Sequence, residues 1–394
     1  MYITMTIKER PPKQMSFEDL FSLMLNQMPF PTVEPVRRNP YTRTWQCDVL
    51  PERIRAGFDV DEHIEILRGF NERYKKLREG PITSHYHKFF IPKKTGGLRE
   101  INAPDDELSN CLRELKLIFE KEFFASHHAC AYAYIAGRST QDAVKAHQFN
   151  KSKWFLKTDL SGFFPNTSPE FVMSMLSRIF PFSLVIERED GKQELETALS
   201  LAFLDGGLPM GTPFSPMITN LIMIPFDYEM SKWLRSLSDK ESNADHRGRR
   251  FVYTRYSDDI HISCGIDFRY SAIIRKMREL FAKFGAPYVI KQEKTHYGSS
   301  GGRNWILGVM LNKDNQITIG YKKRERFKAM LFNYMKDKQA GITWNLDQLQ
   351  HLMGLISYYR MVNSEDVDRI LKIYSEKFSC GDIERWIKSD IRCA

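Results

Sequence analysis

The stretch Phe251-Val252-Tyr253-Thr254-Arg255-Tyr256-Ser257-Asp258-Asp259-Ile260-His261-Ile262-Ser263-Cys264 decides how the rest of the chain is read. Its two arms are rich in β-branched and aromatic residues with an approximate period of two, the pattern of paired strands. Two adjacent carboxylates, Asp258 and Asp259, then fall at the tip of a hairpin. Adjacent acids repel each other and gain nothing from packing. The tip is therefore either a solvated turn, where Asp is common, or a site whose charge something else balances. The hairpin alone does not choose between the two.

Composition narrows the field. A chain of 394 residues exceeds what one compact core serves, so two or three subdomains are expected. No apolar run approaches a membrane span, and Met1 to Lys8 lack the basic-then-apolar layout of a secretory signal. The six cysteines are scattered without a Cys-x-x-Cys pair, which argues against a zinc site or a disulfide framework and for a reducing cytoplasm. The formal net charge of +9 suits a polyanionic partner.

Further groups lie on either side of the hairpin. Phe17, Leu20, Phe21, Met24, Leu25 and Met28 recur at helical spacing, a proline-rich loop follows, and a second helix is expected from Asp61 to Glu79. His87 to Ile101 reads as a strand pair turned by Gly96-Gly97, with Lys93, Lys94 and Arg99 crowded around the turn. Three cations there suit the tail of a triphosphate, Arg as a planar fork and Lys as a point charge. Asp105 to Phe124 and Asp142 to His147 read as helices, and His147 as a structural histidine, since no second ligand residue stands near it. Trp154 to Asp159 is a strand ending in an acid, a position that suits a site or a helix cap. The loop Gly206-Gly207-Leu208-Pro209-Met210-Gly211-Thr212-Pro213-Phe214-Ser215-Pro216 leads to a helix over Met217–Leu234, with Ser215 as the expected cap. Such a loop lays backbone against a nucleotide or simply starts a helix. Beyond a polar linker, a helix is expected over Tyr270–Phe284, a single strand over Asn304–Asn312, and helices over Tyr321–Tyr334, Leu346–Tyr359 and Ser364–Phe378.

Asp159 and Asp258 lie about a hundred residues apart and meet if both strands enter one sheet. Clustered carboxylates are costly unless a cation compensates them, so they imply a divalent metal. Mg²⁺ takes one or two carboxylates and completes its shell with water and phosphate oxygens. Two such ions about 3.5–4 Å apart activate a primer hydroxyl and stabilise a departing pyrophosphate. Phosphoryl transfer of this kind is mostly positioning and charge neutralisation.

With the motifs set in order, the chain resembles bacterial reverse transcriptases of the retron and defence-associated kind, over roughly residues 85 to 335. Lys157-Thr158-Asp159-Leu160-Ser161-Gly162-Phe163-Phe164 is similar to their motif A, Leu208 to Pro216 to motif B, and Tyr256-Ser257-Asp258-Asp259 to the YxDD of motif C. Lys294-Thr295 matches the motif D lysine, Leu307-Gly308 the primer-grip strand, and Ile91 to Arg99 the fingers hairpin. The resemblance implies an α+β right-hand polymerase: a helical N-terminal extension over 1–82, fingers and an antiparallel palm over 83–312, and a helical thumb with an RNA- or partner-binding segment over 313–394. It implies two Mg²⁺ ions, with Mn²⁺ as a substitute, on Asp159, Asp258, Asp259 and the Leu160 carbonyl. Phe164 takes the steric-gate position and selects dNTPs. Lys93 or Lys94 with Arg99 holds the triphosphate, Lys294 donates a proton to pyrophosphate, and Gly211 and Ser215 border the templating base pair.

The chain departs from that pattern at Met210, where Gln is common. Two further departures are Asp142-Ala143-Val144-Lys145-Ala146-His147 in place of Asn-Ala-x-x-His and Ile306-Leu307-Gly308 in place of Val-Thr-Gly. The last segment is too short for an RNase H, endonuclease or maturase unit. The expected function is RNA-directed DNA synthesis in the cytoplasm on a noncoding RNA template and primer, giving cDNA in antiviral defence. An effector protein and self-association are further expected partners. Two alternatives stand beside it: a template-independent or protein-primed DNA polymerase, and a noncoding-RNA scaffold that restrains an effector.

Overall fold

The computed structural model describes residues 58–92, 96–239, 250–301 and 305–393. The helix expected around Phe17 to Met28, and Lys93 and Lys94, lie outside the described residues. Helix α1 (Val60–Arg73) is capped by Asp59 and buries Ile64, Leu67 and Phe70. It ends short of the expected Glu79, because Arg78 folds back to donate to the Asn71 carbonyl and a 3-10 turn takes over. Strands β1 (Tyr86–Pro92) and β2 (Leu98–Pro104) form a separate, largely exposed antiparallel hairpin. Gly96 and Gly97 both have positive φ, 88° and 79°, as the expected turn requires.

Helix α2 (Asp106–Lys121) is capped by Asp105, and α3 (Thr140–Phe149) starts in a Ser139–Asp142 capping box. Strand β3 (Trp154–Ser161) follows. Helices α4 (Pro169–Leu176), α5 (Phe182–Ile186) and α6 (Glu189–Ser200) then fill a stretch where no element is expected from sequence. The single helix expected over Met217–Leu234 is two, α7 (Ser215–Ile222) and α8 (Ile224–Asp239). The break precedes Pro225, whose ring and missing N–H do not continue an α ladder. Ser215 is the first helical residue rather than the cap. Its N–H donates to the Thr212 hydroxyl (3.3 Å), so Thr212 satisfies the helix end.

Strands β4 (Val252–Tyr256) and β5 (Asp259–Cys264) are the hairpin read from sequence. Helix α9 (Tyr270–Phe284), closed by Gly285 at φ 65°, leads to β6 (Val289–Ile290) and β7 (His296–Ser299). The strand expected over Asn304–Asn312 is instead a hairpin, β8 (Trp305–Ile306) and β9 (Val309–Leu311), joined on its far side by β10 (Ile317–Thr318). Leu307 and Gly308, at φ 51° and 84°, make the turn. Helices α10 (Tyr321–Gln339), α11 (Leu346–Val362) and α12 (Ser364–Lys377) match the expected ones closely, and α13 (Ile383–Cys393) is additional. No described helix is long and apolar enough to cross a membrane.

The central sheet runs β4-β5-β3-β6, with β7 also on β3, and every pairing is antiparallel. Alternation along the strands serves two cores. Leu156, Leu160, Ile260 and Ile262 join the core built with α1, α2 and α4–α9, whereas Phe155 enters a second core with Val144 of α3, β8–β10 and α10–α13. At one end of the sheet the turn after β3 abuts the Gly/Pro loop. The Leu208 N–H donates to the Phe164 carbonyl (3.1 Å). A Cβ on Gly207 would lie 2.0 Å from the Pro165 carbonyl oxygen, a backbone atom that cannot step aside. Gly207→Ala is therefore expected to destabilise the protein by about 3 kcal/mol or more, read by urea unfolding. An unchanged midpoint would refute this packing.

Candidate active site

Register creates the site. Asp159, near the end of β3, is the direct antiparallel partner of Asp259, the first residue of β5. Directly opposed residues in such a pair project to the same face about 5 Å apart. Asp258 sits in the turn before β5, and the Leu160 N–H donates to its carbonyl at 3.1 Å, which ties the turn to β3. Three carboxylates from two distant segments thus converge at one sheet end. Asp159 is the most enclosed, its side chain only 7% exposed. Burial, then the charges of Asp159 and Asp259, push the Asp258 carboxyl up. Burial also raises Asp259, against the Lys157 ammonium that lies 3.7 Å from it.

Cations stand around this cluster. Lys294 Nζ donates to one oxygen of Asp159 at 2.9 Å, and Lys291 Nζ lies 2.8 Å from the other. The Lys291 N–H also donates to the Asp159 carbonyl at 3.0 Å. Its hydrogen bond to Asp159 raises the Lys294 ammonium, so in this arrangement Lys294 acts as a charge partner. Lys291 is not among the residues singled out from sequence. Its only signal there is its place one helical turn ahead of Lys294.

Aromatic side chains border the carboxylates. Phe164 is half-buried, with its ring edge-on to Tyr134 at 6.4 Å, and Tyr134 in turn lies 6.5 Å from Tyr256. Tyr134 is exposed and holds φ 60°, a conformation that non-glycine residues adopt at a cost. Burial, and then the nearby Asp258 charge, raise its phenol, while the Arg99 guanidinium acts in the opposite sense. Arg99 of the β1–β2 hairpin is thereby brought toward the site. Tyr134 was not readable as a site residue, since sequence gives no sign of its φ.

The Gly/Pro loop contributes unevenly. Gly211 is exposed at φ 114°, and a Cβ there would meet Ile101 of β2 at 2.9 Å. The Met210 carbonyl accepts from the Asn102 N–H at 2.9 Å, so the loop and the first hairpin are locked together. Ser215 is buried and engaged with Thr212, and its side chain does not front the opening. His147 is structural, as read from sequence: it is fully buried between the Ser263 and Thr254 hydroxyls, and burial lowers it to about 3. His128, Cys130 and Asp227 also bring ligand-type atoms within 4.8 Å of one another. Asp227 is engaged by Arg255 and Tyr253, burial raises the Cys130 thiol, and burial lowers His128 to about 4.

Residues 91–330 match the family model for reverse transcriptase (RNA-dependent DNA polymerase). The chain belongs to that family, and it is an RNA-directed DNA polymerase of the α+β right-hand fold. Its curated relatives define the type. They include the Retron Ec83 reverse transcriptase of Escherichia coli, 26% identical over 80% of this chain and 95% of the relative. The Retron Mx65 reverse transcriptase of Myxococcus xanthus is 25% identical over 81% and 71%, and the Retron Ec73 enzyme of Escherichia coli 25% over 84% and 96%. The protein is accordingly of the bacterial retron type. A Candida albicans telomerase is similar at TM-score 0.42 and 12% identity, over 77% of this chain and 66% of that one, a likeness that adds nothing further.

Polymerases of this family use divalent metal ions, and the residues present fit such a group. Among the described residues Asp258 forms no ion pair, and burial and then the Asp159 and Asp259 charges raise its carboxyl, as expected of a ligand set that positive charge would stabilise. A carboxyl raised in the fold binds protons more readily than in the unfolded chain. Its penalty is absent in acid, below the unfolded value, and grows as pH rises through the folded value. Asp258→Asn is expected to raise the melting temperature by a few degrees at neutral pH in chelator, with the gain vanishing in acid. A lower melting temperature at neutral pH would contradict this electrostatic reading.

Proposed function

We propose that this chain copies a dedicated noncoding RNA into DNA by two-metal phosphoryl transfer, as part of a defence against phage. The single observation that carries the chemical part is the convergence of Asp159, Asp258 and Asp259 at one sheet end, with Lys291 and Lys294 beside them. Asp159 and Asp258, with Asp259 and the Leu160 carbonyl close by, would hold two Mg²⁺ ions, with Mn²⁺ as a substitute. Bound there, the ions supply positive charge that lowers the pKa of the primer hydroxyl and offsets charge on the departing pyrophosphate.

The protein's own residues position the reactants. Phe164 stands as the steric gate, where its ring excludes a ribose 2′-OH and selects dNTPs. Arg99, with Lys93 or Lys94, holds the triphosphate. Lys294, which holds Asp159 here, would be free to serve the pyrophosphate as a proton donor if Asp159 held a metal ion. Gly211 allows backbone to approach the templating pair. Residues 83–312 supply fingers and palm, and residues 313–394 the thumb and a surface for RNA or for an effector protein. The retron names of the relatives support the noncoding RNA and the cDNA product, and the scattered cysteines support a cytoplasmic setting.

Purification with bound nucleic acid and sequencing of the DNA product tests the reading. DNA complementary to one co-purifying RNA is expected, and untemplated homopolymer would overturn it. The gate is tested separately. Phe164→Ala should lower discrimination against ribonucleotides by roughly 10–200-fold, measured as the ratio of kcat/KM for dNTP and NTP. Unchanged discrimination would remove Phe164 from that role.

A further inference from the structure

The face of the hairpin turned away from the carboxylates carries a charged group with no part in the chemistry described above. Arg255 of β4 is fully buried, as is Asp227 of α8. The guanidinium grips Asp227 through Nε at 3.0 Å and Nη2 at 2.8 Å, and the Tyr253 hydroxyl donates to the same carboxylate at 2.6 Å. Its remaining nitrogen, Nη1, donates to Asn220 Oδ1 at 3.1 Å and to the Ser257 carbonyl at 3.2 Å. Asn220 in turn donates to the Ala133 carbonyl at 2.8 Å, one residue from Tyr134.

Stability does not explain this arrangement. A buried ion pair is often matched or surpassed by apolar residues of similar volume, because desolvation offsets the attraction. What an apolar pair cannot do is hold a carbonyl. Ser257 has φ 59°, a strained conformation for a residue with a Cβ, and it immediately precedes Asp258. Both carbonyls of the turn are held: that of Ser257 by Arg255, and that of Asp258 by the Leu160 N–H. We propose that Arg255, oriented by Asp227, is a positioning residue that fixes the strained Ser257-Asp258 turn and hence the aim of the Asp258 carboxylate. The same network couples that aim to α7, α8 and the segment bearing Tyr134. This inference rests on the reading of Asp258 as a catalytic ligand.

The test compares Arg255→Lys and the double variant Arg255→Met/Asp227→Leu with the native chain. DNA synthesis is followed on an RNA template with a DNA primer, with Asp258→Asn run alongside. The double variant is expected to fold and to melt only a few degrees below the native chain, because loss of the buried charge pair is nearly neutral while the Tyr253 hydroxyl, Asn220 and the Ser257 carbonyl lose a partner. Its kcat should nevertheless fall about 100-fold, since an ångström of misplacement has that effect. Its KM for dNTP should change little, and its half-saturating Mg²⁺ should rise. Arg255→Lys keeps the charge but not the fork, and should show the same split more mildly. A folded double variant, or a folded lysine variant, with native kcat would overturn the proposal. Failure of both variants to fold would also overturn it, by making the pair a purely structural element. Activity retained by Asp258→Asn would instead refute the underlying site. An inactive Asp258→Asn beside fully active Arg255 variants would refute only the positioning role.

Discussion

Everything in this molecule answers to the repulsion among three carboxylates. The antiparallel register that sets Asp159 opposite Asp259, and the turn that places Asp258 beside them, bring like charges together where burial strengthens their interaction. No packing gain compensates this. The surroundings do so in part: Lys291 and Lys294 grip Asp159, and Lys157 lies near Asp259. Asp258 is left without an ion pair among the described residues, the arrangement of a site built to receive positive charge. The protein tolerates that cost because two apolar cores clamp the sheet from opposite faces.

The two faces of the hairpin divide the work. One carries Tyr256 and Asp259 in register with Asp159. The other carries Arg255, paired across the sheet with Ile260 and sunk among α7 and α8. Period-two alternation therefore turns one strand into both a wall of the site and its mount. The loop from Gly206 to Pro216 adds a second mount. It meets the turn after β3 at Gly207 and the exposed hairpin at Gly211, so Phe164 and Arg99 are referenced to the same loop.

Much of this was legible in the sequence, and the reasons are physical. The hairpin around Asp258, strand β3 and helices α9 to α12 follow period-two or helical patterning strong enough to survive tertiary context. Asp159, Asp258 and Asp259 stood out because adjacent or strand-end acids need an explanation. Other features depend on information that one segment does not contain. The Ser215 N–H bonded to the Thr212 hydroxyl, with Ser215 the first helical residue rather than the cap, and the turn at Leu307-Gly308 within an apolar run, are decided by local geometry with no distinct composition. Lys291 became a site residue only through the register of β6 on β3. Arg255 is the most instructive case. An arginine in an alternating strand reads as solvent-facing, and only Asp227, nearly thirty residues earlier, makes its burial possible.

A polymerase centre built on these three acids requires Lys291 and Lys294 to yield Asp159 to a metal ion. The most direct measurement is a crystal structure with Mn²⁺, an RNA template, a DNA primer and a non-hydrolysable dNTP, with the metal located by anomalous scattering. Manganese is expected between Asp159 and Asp258, with Lys291 and Lys294 withdrawn from Asp159 toward the phosphates. Manganese found elsewhere, with Asp159 still held by both lysines beside a bound dNTP, would contradict it.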